Sequence, residues 1–145
     1  MKKKIMNFTI GVIVFALVAI PTFVFASSYT STLSISANSQ VQGAERSYNS
    51  SNHSISIRVD QLDPETTPKL VIVLGTKKLL GGINMQSRKV VNTSLNATIN
   101  QSMGSVGSGK KVYGFGTKAN YYGSESDPNT AYAGLYSGQV IMSSN

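Results

Sequence analysis

Residues 53–62 read His-Ser-Ile-Ser-Ile-Arg-Val-Asp-Gln-Leu, and this stretch decides the fold class. His53, Ile55, Ile57 and Val59 alternate with Ser54, Ser56, Arg58 and Asp60. Strict period two puts one set of side chains on a buried face and the other in water, which is the pattern of a half-buried strand. Downstream, "LVIVL" (Leu70–Leu74) is apolar at every position and short, as expected of a central strand covered on both sides. "STLSIS" alternates Leu33 and Ile35, and "SLNATIN" alternates Leu95, Ala97 and Ile99. "KVYGFG" and "LYSGQVIM" complete the set. The spacing predicts strands near 29–36, 41–48, 53–60, 69–76, 83–91, 93–101, 110–118 and 133–143.

Turn residues fall between these runs: "DPETTP", the Gly81-Gly82 pair, "GSVGSG" and "GSESDPN". Ser, Thr, Asn and Gly crowd the chain and compete with helix formation. Short strands joined by Gly- and Pro-marked turns predict an all-β fold, an antiparallel β-sandwich with a small β-barrel as the alternative.

Working outward to the start, Met1-Lys2-Lys3-Lys4 is followed by an almost wholly apolar run from Phe8 to Ile20, then Pro21 and "FVFASS". Val24 and Ala26 are small residues placed for a cut between Ala26 and Ser27. This is the three-part layout of a secretory signal peptide. A membrane anchor is the competing reading, because Phe8–Ala26 is just long enough to span a bilayer. Pro21 near the end of the run, and the lack of a basic cluster after Ala26, favour the signal peptide. The expectation is a leader at 1–26 and a single β domain at 27–145, with no stable membrane insertion after processing.

The chain has no cysteine, so disulfides and thiol chemistry are excluded. The triple-lysine start and the absence of cysteine suggest a bacterial exported protein. Three of the thirteen Lys and Arg precede residue 27 and all six acids follow it, leaving Ser27–Asn145 with a net charge of +4. A mild positive charge favours anionic wall polymers or lipid headgroups and is also ordinary for a soluble domain. The end of the sequence, "GQVIMSSN", carries no hydrophobic tail. Release from the cell, or loose association with the envelope, is the expected location.

The "GSVGSGKK" stretch (104–111) lies one residue from the G-x-x-x-x-G-K-[ST] phosphate loop. Lys111 stands where Ser or Thr should hold magnesium, and the residues that follow read as strand, whereas a phosphate loop opens a helix. A hairpin turn is expected here, with no nucleotide. The basic tip Lys110, Lys111 and Lys118 is a candidate polyanion contact. "KKLLGGIN" offers a double glycine of the kind that marks leader removal in small exported toxins. Between two strands it reads more simply as a turn, since glycine accepts positive φ.

Glu125, Asp127 and Asn129 alternate in "ESDPN" and are a candidate calcium loop, as are Asp60, Asp63 and Glu65 more weakly. Calcium takes six to eight oxygens, more than either group supplies. Turn formation by Asp before Pro is the competing account. The one histidine, His53, starts an alternating strand and reads as a polar residue at the rim of a core. No serine sits in a G-x-S-x-G elbow, a zinc site would want more His or Cys, and no pair of acids stands out for glycoside hydrolysis. Catalysis is not expected, and neither is a cofactor or nucleic acid.

Tyr113 and Phe115 share a strand face, and Tyr121, Tyr122, Tyr132 and Tyr136 lie close by in sequence. They are candidate ligand-binding residues, because a tyrosine ring offers apolar area and a hydroxyl. Aromatics at period two also pack across strands in a core, and the absence of tryptophan weakens a sugar-binding role. The Asn-x-Ser/Thr triplets at Asn49, Asn52, Asn92, Asn96 and Asn100 are explained by composition. The expected function is that of a small secreted non-enzymatic protein binding an envelope polymer or another protein. The alternative is a toxin-like antagonist of other cells.

Overall fold

The structure, a computed structural model, describes residues 26–36, 39–62, 69–118 and 135–145. These residues are all-β, with nine strands and no helix. In order they are β1 (Ser27–Ser36), β2 (Gln40–Gln42), β3 (Arg46–Tyr48), β4 (Asn52–Leu62), β5 (Lys69–Lys77), β6 (Ile83–Asn92), β7 (Thr98–Ser105), β8 (Gly109–Gly116) and β9 (Leu135–Ser144). They form two antiparallel sheets that pack together, an arrangement compatible with a β-sandwich. One sheet has the order β1-β9-β4-β7; the other has β2-β8-β5-β6, with β3 also paired to β8.

The alternating stretch forms β4, which lies between β9 and β7. Its inward residues Ile55, Ile57 and Val59 are at most 1% exposed. Each such aliphatic side chain removed from water contributes about 1.5–3 kcal/mol. They meet Leu70, Ile72 and Leu74 of β5, together with Tyr113 and Phe115 of β8, in the main core. β5 is buried on its other face too, where Val71 and Val73 join Ile83 and Val112 in a second, smaller cluster. Two buried faces explain its uninterrupted apolar run.

Three expectations about strands need correction. The run 41–48 is two short strands split at 43–45, and both pair with β8. The strand placed at 93–101 begins only at Thr98. Asn96 adopts φ +61°, and its N–H donates to the Val59 carbonyl at 2.8 Å, while Val59 N–H donates to the Ala97 carbonyl at 3.0 Å. A left-handed Asn makes this segment a turn, so the alternation of Leu95 with Ala97 has no strand beneath it. The strand placed at 110–118 ends at Gly116. Beyond it Thr117, fully buried, donates its hydroxyl to the Ser36 carbonyl at 2.7 Å and ties the end of β1 to the end of β8.

The "GSVGSGKK" stretch is the β7–β8 connection, with Gly104, Gly107 and Gly109 all at positive φ. It opens β8 rather than a helix. Gly81 and Gly82, at φ +92° and +82°, turn the chain between β5 and β6.

Candidate functional site

Tyr113, Phe115 and Tyr136 do not form an exposed ligand platform. They are 1%, 4% and 1% exposed and belong to the main core. Gly114 and Gly116 occupy the opposite face of β8, so the aromatic members of the alternation turn inward. Tyr113 packs edge-on against Tyr48 and donates its hydroxyl to the Ser54 carbonyl at 3.4 Å. The Tyr136 hydroxyl is hydrogen-bonded to that of Thr93. Burial raises the pKa of both phenols. Phe115 also borders a cavity of about 270 Å³ between β1 and β2, floored by Leu33, Val41, Val140 and Met142, with Arg46 among its lining residues. Tyr121, Tyr122 and Tyr132, and the acidic loop residues Glu125, Asp127 and Asn129, lie outside the described residues. Of the second acidic group, Asp60 holds Arg58 in an exposed ion pair at 2.8 Å, and Asp63 and Glu65 lie outside the described residues.

His53 is 2% exposed, more enclosed than a residue at the rim. Its Nε2 donates to the Gly107 carbonyl at 2.9 Å, and its ring meets Tyr48 edge-on at 4.9 Å. Its Nδ1 has no protein partner. Burial lowers the imidazole pKa, the Gly107 bond opposes this, and the nearby Lys111 charge lowers it further. Among the described residues no three His, Asp or Glu side chains converge in a metal-binding cluster.

The three candidate polyanion lysines separate. Lys111 shares the inward parity of Tyr113 and Phe115 and is 4% exposed. Its ammonium donates to Gln86 Oε1 and to the Val106 carbonyl, both at 2.7 Å, and burial lowers its pKa. A side chain held this way is not a surface contact, which corrects that assignment. Lys110, on the outward parity, is exposed and stands 3.9 Å from Glu45. Lys118 is half-buried just beyond β8.

Lys110 does have company that spacing along the chain could not reveal. β3 lies against the start of β8, with Arg46 opposite Lys111 and Ser47 opposite Lys110. On the other side of β8, Val112 faces Gly75, so Lys77, two residues further along β5, runs toward the same end. Lys77, Lys78, Leu79 and Glu45 border one shallow recess. Three exposed cations, Lys77, Lys78 and Lys110, therefore gather around a single carboxylate, Glu45, at one end of the five-stranded sheet. Arg46 shares the inward parity of Lys111 and lies apart from them. The Arg46 guanidinium also lies 5.4 Å from the centre of the Tyr29 ring. On the four-stranded sheet the described charges are Arg58 and Asp60, already paired. Searches against family models, curated proteins and solved structures return no match for this chain.

Proposed function

We propose that this protein is a non-enzymatic β-sandwich, exported and cut between Ala26 and Ser27, that binds an anionic component of the cell envelope through the cationic end of its five-stranded sheet. The observation that carries this reading is the meeting of Lys77, Lys78 and Lys110 around Glu45. A local excess of positive charge draws in polyanions and weakens with added salt. Each such cation near an anionic surface contributes on the order of 1 kcal/mol. Retention on immobilised teichoic acid at low salt tests the proposal. The wild type should be held, and Lys110→Gln combined with Lys77→Gln and Lys78→Gln should elute far earlier. Equal elution of the two, or no retention at any salt, would sink it.

A second reading, binding of another protein, is favoured by β1. Among the described strands it pairs only with β9, through ten consecutive residues without a bulge. It carries no charge and no proline. Edges of this length are ordinarily blunted by such devices, and a bare one accepts an added strand. Lysines at the outward positions Thr32 and Ser34 should abolish capture of a strand-donating partner and leave the unfolding midpoint unchanged; capture that persists in this double variant would count against the reading.

A further inference from the structure

The β5–β6 hairpin carries a feature that neither the core nor the cationic cluster explains. Leu79 is 100% exposed and Leu80 98% exposed, side by side at the tip of the turn. A lone surface leucine is ordinary, but two adjacent ones with no cover mark a contact surface. Lys77 and Lys78 precede them, and Gly81 and Gly82 follow. The turn is fastened at its base, where Lys78 N–H donates to the Gly82 carbonyl at 3.0 Å and Gly81 N–H donates to the Lys78 carbonyl at 3.2 Å. Behind it stands β5, whose residues from Leu70 to Gly75 are all buried. The leucines are thus presented on a firm stalk. They project as a convex knob, with ammonium groups one and two residues behind them. Met85, 45% exposed and facing Gly75 from β6, adds apolar surface on the same hairpin.

We infer that the Lys77–Gly82 hairpin docks reversibly on an anionic lipid surface, with Leu79 and Leu80 entering the acyl boundary and Lys77 and Lys78 meeting the headgroup phosphates. The charge pattern selects this occupant. Apolar tips with basic flanks match a bilayer, which is apolar below and negative above. The short knob reaches the interface and no further, so the contact is peripheral. The inference rests on the envelope-binding proposal and adds a lipid surface to its anionic targets.

Co-sedimentation with phosphatidylcholine vesicles, with and without phosphatidylglycerol, tests it alongside teichoic-acid retention. Wild type and variants are prepared as the same chain. Leu79→Ser with Leu80→Ser should lower the vesicle partition coefficient by about tenfold or more while teichoic-acid retention stays unchanged. Lys77→Gln with Lys78→Gln should reduce binding to anionic vesicles to the level seen on neutral ones. Because the chain contains no tryptophan, Leu80→Trp places a single tryptophan at the tip, excited apart from the tyrosines. Its emission should shift to the blue with anionic vesicles and be quenched by bromine-labelled acyl chains. If vesicle binding survives the double serine change, or the tryptophan stays in water on bound vesicles, the lipid inference is overturned and polymer binding stands. If neither vesicles nor teichoic acid retain the protein, both proposals fall.

Discussion

Lys111 and Lys110 are neighbours in sequence with opposite fates, because successive strand residues face opposite sides. Lys110→Gln should advance elution from a polyanion column, whereas Lys111→Gln should leave elution unchanged and instead alter stability, since Val106 and Gln86 lose their shared donor. Elution volume and unfolding midpoint, measured on both variants, separate the roles. His53 supplies a pH test. Burial holds its pKa in the fold below the ordinary imidazole value of about 6.5, so the unfolded chain binds its proton first as the pH falls. Stability tied to His53 is therefore complete above about pH 6.5 and is lost as pH drops toward the folded-state value. Thermal midpoints at about pH 7.5 and about pH 5.5 should fall in the wild type and fall less in His53→Phe; an equal fall would refute this assignment. Position 53 was legible as a core-facing residue from its alternation with Ile55 and Ile57. The carbonyl that holds it, from Gly107, comes from 54 residues away and left no local signal.

At the level of strands, legibility followed burial. β4 was readable because one of its faces is wet, and β5 because neither is. β7 was misplaced because a left-handed Asn96 imitates strand alternation while turning the chain. The split between β2 and β3 was invisible because their short lengths carry almost no pattern. The knob at 79–80 had a signal in plain sight: two leucines before two glycines must sit at the apex once the glycines make the turn. One glycine has a second role. Gly138 of β9 faces Val59 beside the register shift in β4, and a Cβ added there would run into the Arg58 carbonyl. Backbone cannot yield as a side-chain tip can. Gly138→Ala should cost about 3 kcal/mol or more, read as a lower urea midpoint with an unchanged slope; a loss under about 1 kcal/mol would show that the strands slide apart more easily than this packing implies.

Across the whole molecule, charge and topology are both lopsided. Lys77, Lys78 and Lys110 cluster at one end of the five-stranded sheet, while the other sheet offers an uncharged edge. Period-two patterns announce strands but not their order, so neither the cluster around Glu45 nor the pairing of β1 with β9 was open to sequence reading. That pairing gives a further prediction. A chain ending at residue 134 lacks β9, so β1 loses its partner and β4 loses one of its two. It should show no cooperative unfolding transition by circular dichroism, and a sharp transition would refute the strand order.

The same order sets a timetable. A polypeptide that emerges amino end first, from a ribosome or through a translocation channel, presents β1 more than a hundred residues before the strand that must lie beside it. Until residues 135–144 arrive, the β1-β9-β4-β7 sheet has a gap second from one edge. Completion of that sheet is thus deferred to the close of delivery, whereas the strands that pair with β5 have all emerged by residue 116.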